Sequence, residues 1–191
     1  CIPGLANLSD AREIVSTAFN TITTNNPKQI YPMTSYDVPE GEIHIPTIYP
    51  TLRTLDQVVD VDYYMPGCPP ESHQIAAVID LVIQVLQGKA ELPPKGAVIG
   101  AGDSTVCDEC ERTRNVKNVK AFRRIFGQPI DPELCLLEQG IPCNGIATRS
   151  GCNARCPSAG AQCIGCYGPA AGVVDYGARL VSAFASVIDS N

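Results

Sequence analysis

The chain has 191 residues, 45% hydrophobic and 18% charged, with a formal net charge of -6. That length can bury a core and suits one or two domains, while the negative balance, the absence of Trp and the scarcity of aromatics argue against a nucleic-acid partner. No apolar run reaches the ~18–20 residues a membrane-spanning helix needs, since the longest, Ile75 to Leu86, is interrupted by Asp80 and Gln84.

There is no initiator Met, and Cys1-Ile-Pro-Gly reads as a start within a domain, with any targeting segment upstream. Ser9-Asp10 predicts a helix start, with Ile14, Val15, Ala18, Phe19 and Ile22 on its apolar face. From Thr23 to Pro50 the chain is rich in Thr, Asn, Pro and Tyr, an irregular excursion with a short hairpin expected around Glu40-Gly41. Thr51 to Val59 reads as a short helical segment and Val61 to Met65 as a strand ended by Pro66-Gly67. Pro69-Pro70 open the next helix, since the first N–H groups of a helix have no partner within it. Its expected buried side is Ile75, Val78, Ile79, Val82, Ile83 and Leu86, and Gly88 ends it. After Pro93-Pro94, Ala97-Val98-Ile99 reads as a second short strand. This order predicts an α/β unit with a mainly parallel sheet. Beyond a boundary near residue 102 the pattern changes to cysteine-rich loops. A last amphipathic helix is expected over 173–188, with Val174, Leu180, Val181, Phe184 and Val187 buried.

Eight of the ten cysteines lie between 107 and 166: Cys107, Cys110, Cys135, Cys143, Cys152, Cys156, Cys163 and Cys166. Cys107-Asp-Glu-Cys110 and Cys163-Ile-Gly-Cys166 have the C-x-x-C spacing, whose turn exposes two sulfurs on one side. Eight thiolates are enough for two four-cysteine sites. A disulfide framework serves small domains without a core. Here the first hundred residues are well patterned and contain only Cys1 and Cys68, which favours metal ligation. Between Leu134 and Val173 only Glu138, Arg149 and Arg155 carry charge. The dry setting, the Cys156-Pro157 step and the glycines that free N–H groups favour iron–sulfur clusters. Two structural zinc sites are the alternative.

Gly67-Cys68-Pro69-Pro70 places Cys68 at or just before a helix N-terminus, where N–H groups and the dipole favour a thiolate. The competing reading is a buried structural cysteine. His73 is read as structural or partner-contacting and His44 as a surface residue. Asp56, Asp60 and Asp62 are read as capping or solvated groups. No nucleophile–base pair, phosphate loop or paired acid–base carboxylates stand out, so the chain reads as a conductor of electrons.

Several segments resemble a known family, the small subunit of [NiFe]-hydrogenases. They are Cys1-Ile-Pro-Gly-Leu-Ala-Asn-Leu, the run from Arg53 to Pro70, Leu92-Pro-Pro-Lys-Gly-Ala-Val-Ile-Gly, Cys107-Asp-Glu-Cys110, Cys135-Leu-Leu-Glu-Gln-Gly, Cys143-Asn-Gly and Cys163-Ile-Gly-Cys166-Tyr-Gly-Pro. The nearest type is the soluble methyl-viologen-reducing one, which in methanogens works with heterodisulfide reductase. The resemblance implies a partial flavodoxin-like domain over 1–102 and a mostly irregular and α iron–sulfur domain over 103–191. It implies [4Fe-4S] clusters: Cys107, Cys110, Cys135 and Cys143 match a distal set, and Cys152, Cys156, Cys163 and Cys166 match a medial set. Relatives with a three-iron medial cluster have proline in place of one ligand, so Cys156 implies a full cubane. Cys68 is similar to the last proximal ligand. The first two proximal cysteines and the Gly-x-Cys-Ala segment are absent, and Cys1 falls where the family carries a glycine. The implied partners are a large subunit bearing the nickel–iron site and an electron-acceptor protein, in the cytoplasm, with no membrane and no nucleic acid. A quinone-oxidoreductase subunit with one cluster shares the Gly-Cys-Pro-Pro turn but lacks the eight-cysteine extension. A zinc-stapled interaction module without redox function is the alternative of a different class.

Overall fold

The structure is a computed structural model and describes residues 2–21, 25–115 and 118–189, without the side chains of 2 and 3. Cys1 and Ile22, both singled out in the sequence, lie outside the described residues. The chain divides into two compact units, Cys1–Val61 and Asp62–Asn191.

In the first unit, α1 (Ile2–Ala6) is followed by α2 (Ala11–Ser16). Asp10 caps α2, its Oδ1 accepting the Glu13 N–H at 2.8 Å. The helix then widens into a π turn over Thr17–Thr21. Its expected apolar face is only partly covered: Val15, Ala18 and Phe19 are half-buried and Ile14 is exposed. The hairpin forms where expected, β1 (Ser35–Val38) pairing antiparallel with β2 (Gly41–His44) in the register Ser35↔His44 to Val38↔Gly41. Its turn is Pro39-Glu40, and Gly41 supplies the positive φ of 133° that follows it. The expected helical segment at 51–59 shrinks to one 3₁₀ turn, Leu55–Gln57. Asn7 ties the start of the unit to its end, donating to the Leu52 carbonyl at 2.9 Å and accepting the Leu52 N–H at 2.7 Å. No described residue from 4 to 61 is buried.

In the second unit, Tyr64 and Val98 form a parallel bridge, with the Tyr64 N–H on the Ala97 carbonyl at 3.0 Å and the Ile99 N–H on the Tyr64 carbonyl at 2.8 Å. The predicted strand–helix–strand unit is thus present, with a single bridge where full strands were expected. Pro66, Pro93 and Pro94 supply no backbone donors to lengthen it. Between the two strands runs α3 (Ser72–Leu86), closed at Gly88 with a φ of 68°. The expected buried side of α3 is corrected by the structure. Ile75, Ile79, Val82, Ile83 and Leu86 are exposed and Val78 is half-buried, while the line facing the unit's interior is Gln74, Val78, Leu81 and Val85. The strongest apolar stripe of the helix is therefore not the one its unit covers. At Gly100 an added Cβ would lie 2.9 Å from both Gln74 Cγ and Val78 Cγ2, so this crossing requires glycine.

Residues 103–189 contain short pieces only, α4 (Val106–Glu109), α5 (Arg155–Ser158), three 3₁₀ turns and α6 (Tyr176–Ala185). Yet among the described residues this region holds every buried one except Gln74, with Leu136, Ile141, Val106 and Thr148 among the most enclosed. α6 is shorter than expected and begins at the cap Asp175, whose Oδ1 accepts the Ala178 N–H at 2.8 Å. Val187 is buried and Leu180 and Phe184 half-buried, but Val174, before the cap, and Val181 are exposed, which corrects those two positions. Among the described residues no helix is long and apolar enough to cross a membrane, and all nine described cysteines are free.

Candidate functional site

Gly67 has a φ of 133°, and a Cβ there would lie 2.6 Å from the Pro70 nitrogen, so the turn that carries Cys68 requires glycine. Cys68 is exposed. Pro69, Pro70 and the cap Glu71 separate it from Ser72, the first residue of α3, so it stands further from the helix terminus than the sequence suggested. The turn is pinned by two buried side chains that sequence reasoning missed. Gln74 Nε2 donates to the Pro66 carbonyl at 2.8 Å, and the Tyr167 hydroxyl donates to Gln74 Oε1 at 2.8 Å. The Glu71 N–H in turn donates to the Tyr167 hydroxyl at 3.2 Å. Tyr167 directly follows Cys166, so this network joins the Cys68 turn to the last cysteine loop. His73 Nε2 meets the Gly151 carbonyl at 2.9 Å, beside Cys152, and Arg155 pairs with Glu71. His44 is a surface residue beside Glu42, and Asp62 pairs with Lys95 in solvent.

Cys107, Cys110, Cys135 and Cys143 line one recess, closed by Val106, Leu136, Gly145 and Pro157, with Arg112 and Arg114 also on its wall. Cys107 sits on α4, whose start is fixed by Asp108 accepting the Thr105 N–H at 2.7 Å and hydroxyl at 2.8 Å. Those bonds hold the Asp108 carboxyl below its ordinary value. Arg112 is buried and donates to the Pro157, Asp131 and Leu134 carbonyls at 2.9, 2.7 and 2.9 Å, drawing together loops from both sides of the recess. Gly145 allows the backbone to approach, because a Cβ there would lie 3.2 Å from Cys107 Sγ. Burial, with Cys143 as the next cause, pushes the Cys107 thiol up to about 12, although Arg114 pulls it down. Burial likewise raises Cys143, against N–H groups of Gly145 and Cys163 that favour its thiolate.

Cys152, Cys156, Cys163 and Cys166 come from the following loops. Asn153 and Ala154 are both left-handed, with φ of 54° and 47°. This turns the N–H groups of Ala154 and Arg155 towards the Cys152 sulfur, a concavity suited to an anion. Glu109, between the cysteines of the first C-x-x-C, accepts the Gly151 N–H at 2.7 Å and the Ala154 N–H at 3.3 Å. Burial raises the Cys166 thiol, followed by the influence of Cys163, Cys152 and Cys156 in that order. Cys163 is buried and Cys156 exposed. The groups touch directly, since the Cys163 N–H donates to Cys143 Sγ at 3.3 Å. Beside them the Tyr176 and Thr148 hydroxyls are 2.8 Å apart.

Among the described residues no three His, Cys, Asp or Glu side chains close on a point that would hold a single metal ion. The donor set of both groups is thiol only, which suits soft metals and iron–sulfur clusters. N–H groups already aimed at Cys143 and Cys152 fit anionic sulfur ligands. Burial favours the protonated thiol at Cys107 and Cys143 in the first group and at Cys152 and Cys166 in the second, so loading either group must expel protons. Glu109, Arg112, Gln74 and Tyr167 left little trace in the sequence beyond proximity to cysteines, because what makes them matter is burial.

No protein-family model matches the chain. It is 39% identical over 189 residues to a vhu-type F420-non-reducing hydrogenase subunit of Methanococcus voltae, covering 98% of this chain and 58% of that protein. It is 36% identical over 193 residues to the F420-non-reducing hydrogenase iron-sulfur subunit of Archaeoglobus profundus, again covering 98% and 58%. To the sulfhydrogenase 2 subunit delta of Pyrococcus furiosus it is 38% identical over 117 residues, 61% of this chain and 38% of that one. The chain therefore spans less than two thirds of the length of these relatives.

Proposed function

From the premise that this chain is homologous along nearly its whole length to the iron–sulfur subunit of F420-non-reducing hydrogenases, we propose that it is the electron-transfer small subunit of a [NiFe]-hydrogenase. The observation that carries this reading is the coincidence of that homology with four cysteines lining a single recess and four more on the loops that follow, joined to it by the Cys163 N–H donating to Cys143 Sγ. Cys107, Cys110, Cys135 and Cys143 would hold a distal [4Fe-4S] cluster, and Cys152, Cys156, Cys163 and Cys166 a medial one, both within residues 103–191. Bound there, such clusters take up and release single electrons at potentials tuned by charge, burial and hydrogen bonds. The chain's own residues set those terms: Gly145, Cys163, Ala154 and Arg155 direct N–H groups at sulfur, and Leu136, Val106 and Pro157 exclude water. Cys68, exposed on its rigid turn, would serve a proximal cluster with ligands from the part of the relatives that this chain does not span. The hydrogen-activating site belongs, in this reading, to a large-subunit partner, and the electrons pass to an acceptor protein in the cytoplasm.

Purification without oxygen, with iron, zinc and visible absorption measured together, tests the function. Iron with the broad absorption of cubanes is the expected result. Zinc without iron would replace this reading with the stapled interaction module.

A further inference from the structure

Glu109 belongs by sequence to one cysteine group and by contact to the other. It ends α4, directly before Cys110 of the first group. Its carboxylate is not on the wall of the first recess. Oε1 accepts the Gly151 N–H at 2.7 Å and Oε2 the Ala154 N–H at 3.3 Å, on either side of Cys152. Both oxygens accept, the arrangement of an ionised carboxylate. Among the described residues Glu109 enters no ion pair, whereas Arg149 and Arg155, the cations that flank Cys152 in sequence, are paired with Asp103 and Glu71. The negative charge beside Cys152 is therefore left standing.

The charges beside the first group have the opposite sign. Arg112 and Arg114 stand on the wall of its recess, and no carboxylate does. Burial is the largest influence on both Cys107 and Cys152; beyond it, Arg114 favours the thiolate of Cys107 and Glu109 disfavours that of Cys152. Arg112 also bonds the Pro157 carbonyl, next to Cys156, so its charge serves both groups. Asp108 and Glu111 are exposed, and Glu138 is buried off the recess wall, accepting the Asn115 N–H at 2.8 Å. N–H groups do not separate the two, since Gly145 and Cys163 direct theirs at Cys143, and Ala154 and Arg155 theirs at Cys152. The Ala154 N–H, however, is shared with Glu109 Oε2. Glu109 thus acts twice in one sense. Its charge repels an added electron, and its claim on the shared N–H weakens the bond to sulfur that would stabilise that electron.

We propose that Glu109 is a positioning residue for electron transfer, lowering the reduction potential of the second group and so biasing an electron towards the first. The inference rests on the electron-transfer role and the division of the cysteines proposed above. Glu109 itself gains and loses nothing: one electron leaves the second group, which is oxidised, and enters the first, which is reduced, with no bond formed or broken. The deeper burial of the first group works the other way, because a dry site disfavours the more highly charged state, and Glu109 offsets it.

The test uses the protein purified without oxygen in its complex, poised at a series of potentials while electron paramagnetic resonance follows each cluster. The second cluster is identified as the one that Cys156→Pro converts to a three-iron centre. Glu109→Gln keeps the shape and one acceptor and removes the charge. It is expected to shift the second cluster towards its reduced form at least about tenfold, or about 59 mV for one electron, and the first by less than about threefold. Glu109→Asp keeps the charge and is expected to leave the second cluster within about threefold of the unaltered protein. Glu111→Gln makes the same net change at an exposed site and is expected to move neither cluster by more than about twofold. Asn153→Asp adds a carboxylate to the Cys152 loop, at an exposed position whose left-handed backbone Asp tolerates. It is expected to shift the second cluster towards its oxidised form, so the sign is read even where Glu109→Gln loads poorly. Equal shifts in Glu109→Gln and Glu109→Asp assign the effect to loop geometry and overturn the proposal. So does a second cluster unmoved by Glu109→Gln, or a shift of the first alone. Absence of iron sinks the electron-transfer role itself, while cubanes present with potentials unmoved sink only the role of Glu109.

Discussion

Residues 62–101 and 103–189 lie in one compact unit and are built by opposite means. The first holds the longest regular element of the chain, α3, with Ile79, Val82 and Ile83 about half exposed, and a single buried side chain, Gln74. The second has little regular structure and nearly all of the core. Its enclosure comes from side chains bonding main chain, some across 16 to 45 residues, as Arg112 to three carbonyls, Arg123 to Gln139 and Glu109 to two N–H groups, and some within a loop, as Arg123 to Gln128 and Gln139 to Asp131 and Leu134. A helix closes its own hydrogen bonds and can stand with an uncovered face. A loop cannot, so loops that wrap thiols must find partners for every buried polar group.

The largest way to break this contrast is Arg112→Met. It keeps the volume of the stem and removes three hydrogen bonds from a charged donor, while Gln139 Nε2 stays on the Asp131 and Leu134 carbonyls and the Gly160 N–H on that of Pro157, so a loss of about 2 kcal/mol is expected in denaturant unfolding of the anaerobic protein. A loss under about 1 kcal/mol would mean that the loops hold themselves. Cys156→Pro acts on chemistry more than on stability. Cys156 lies in the first turn of α5, where a missing N–H is tolerated, so the fold should survive. The expected result is a three-iron electron paramagnetic resonance signal from the second group, the first group unchanged. If both four-iron signals persist, Cys156 is not a ligand and the division into two groups is wrong. The smallest effect is expected on α3, where Ile79→Gln on the open face should stay within about 0.5 kcal/mol. A cost near that of Arg112→Met would show that another part of the protein covers this face.

The same contrast explains what could be read in advance. Pro39-Glu40-Gly41 between short polar strands specifies its hairpin locally, and the run from Ser72 to Gly88 specifies its helix through periodicity and a glycine stop. The spacing of the cysteines marks the loops that meet. Which side of α3 is covered was not legible, because periodicity reports which residues share a face and not which face finds a neighbour. Val174 was misplaced because the helix starts only after Asp175, and a Val next to a cap looks periodic in sequence. The separation of Cys68 from α3 was underestimated because Pro69 and Pro70 extend the chain before the cap Glu71. Nothing in the sequence singles out Glu109 or Arg112, and only the folded loops reveal that a carboxylate and a guanidinium are holding backbone.

The hydrogen bond from the Cys163 N–H to Cys143 Sγ bears on how the protein matures. One residue lends its sulfur to one group and its amide to the other, so neither group is assembled in isolation. Whichever group closes first places an anchor point of its neighbour and removes part of the ordering entropy the second must overcome. Glu109, on the loop of Cys107 and bound to the loop of Cys152, works in the same sense. Repair after oxidative damage would then be a matter of sequence in time: a chain that keeps one group intact retains a template for rebuilding the other, and a chain that has lost both must begin again as loops.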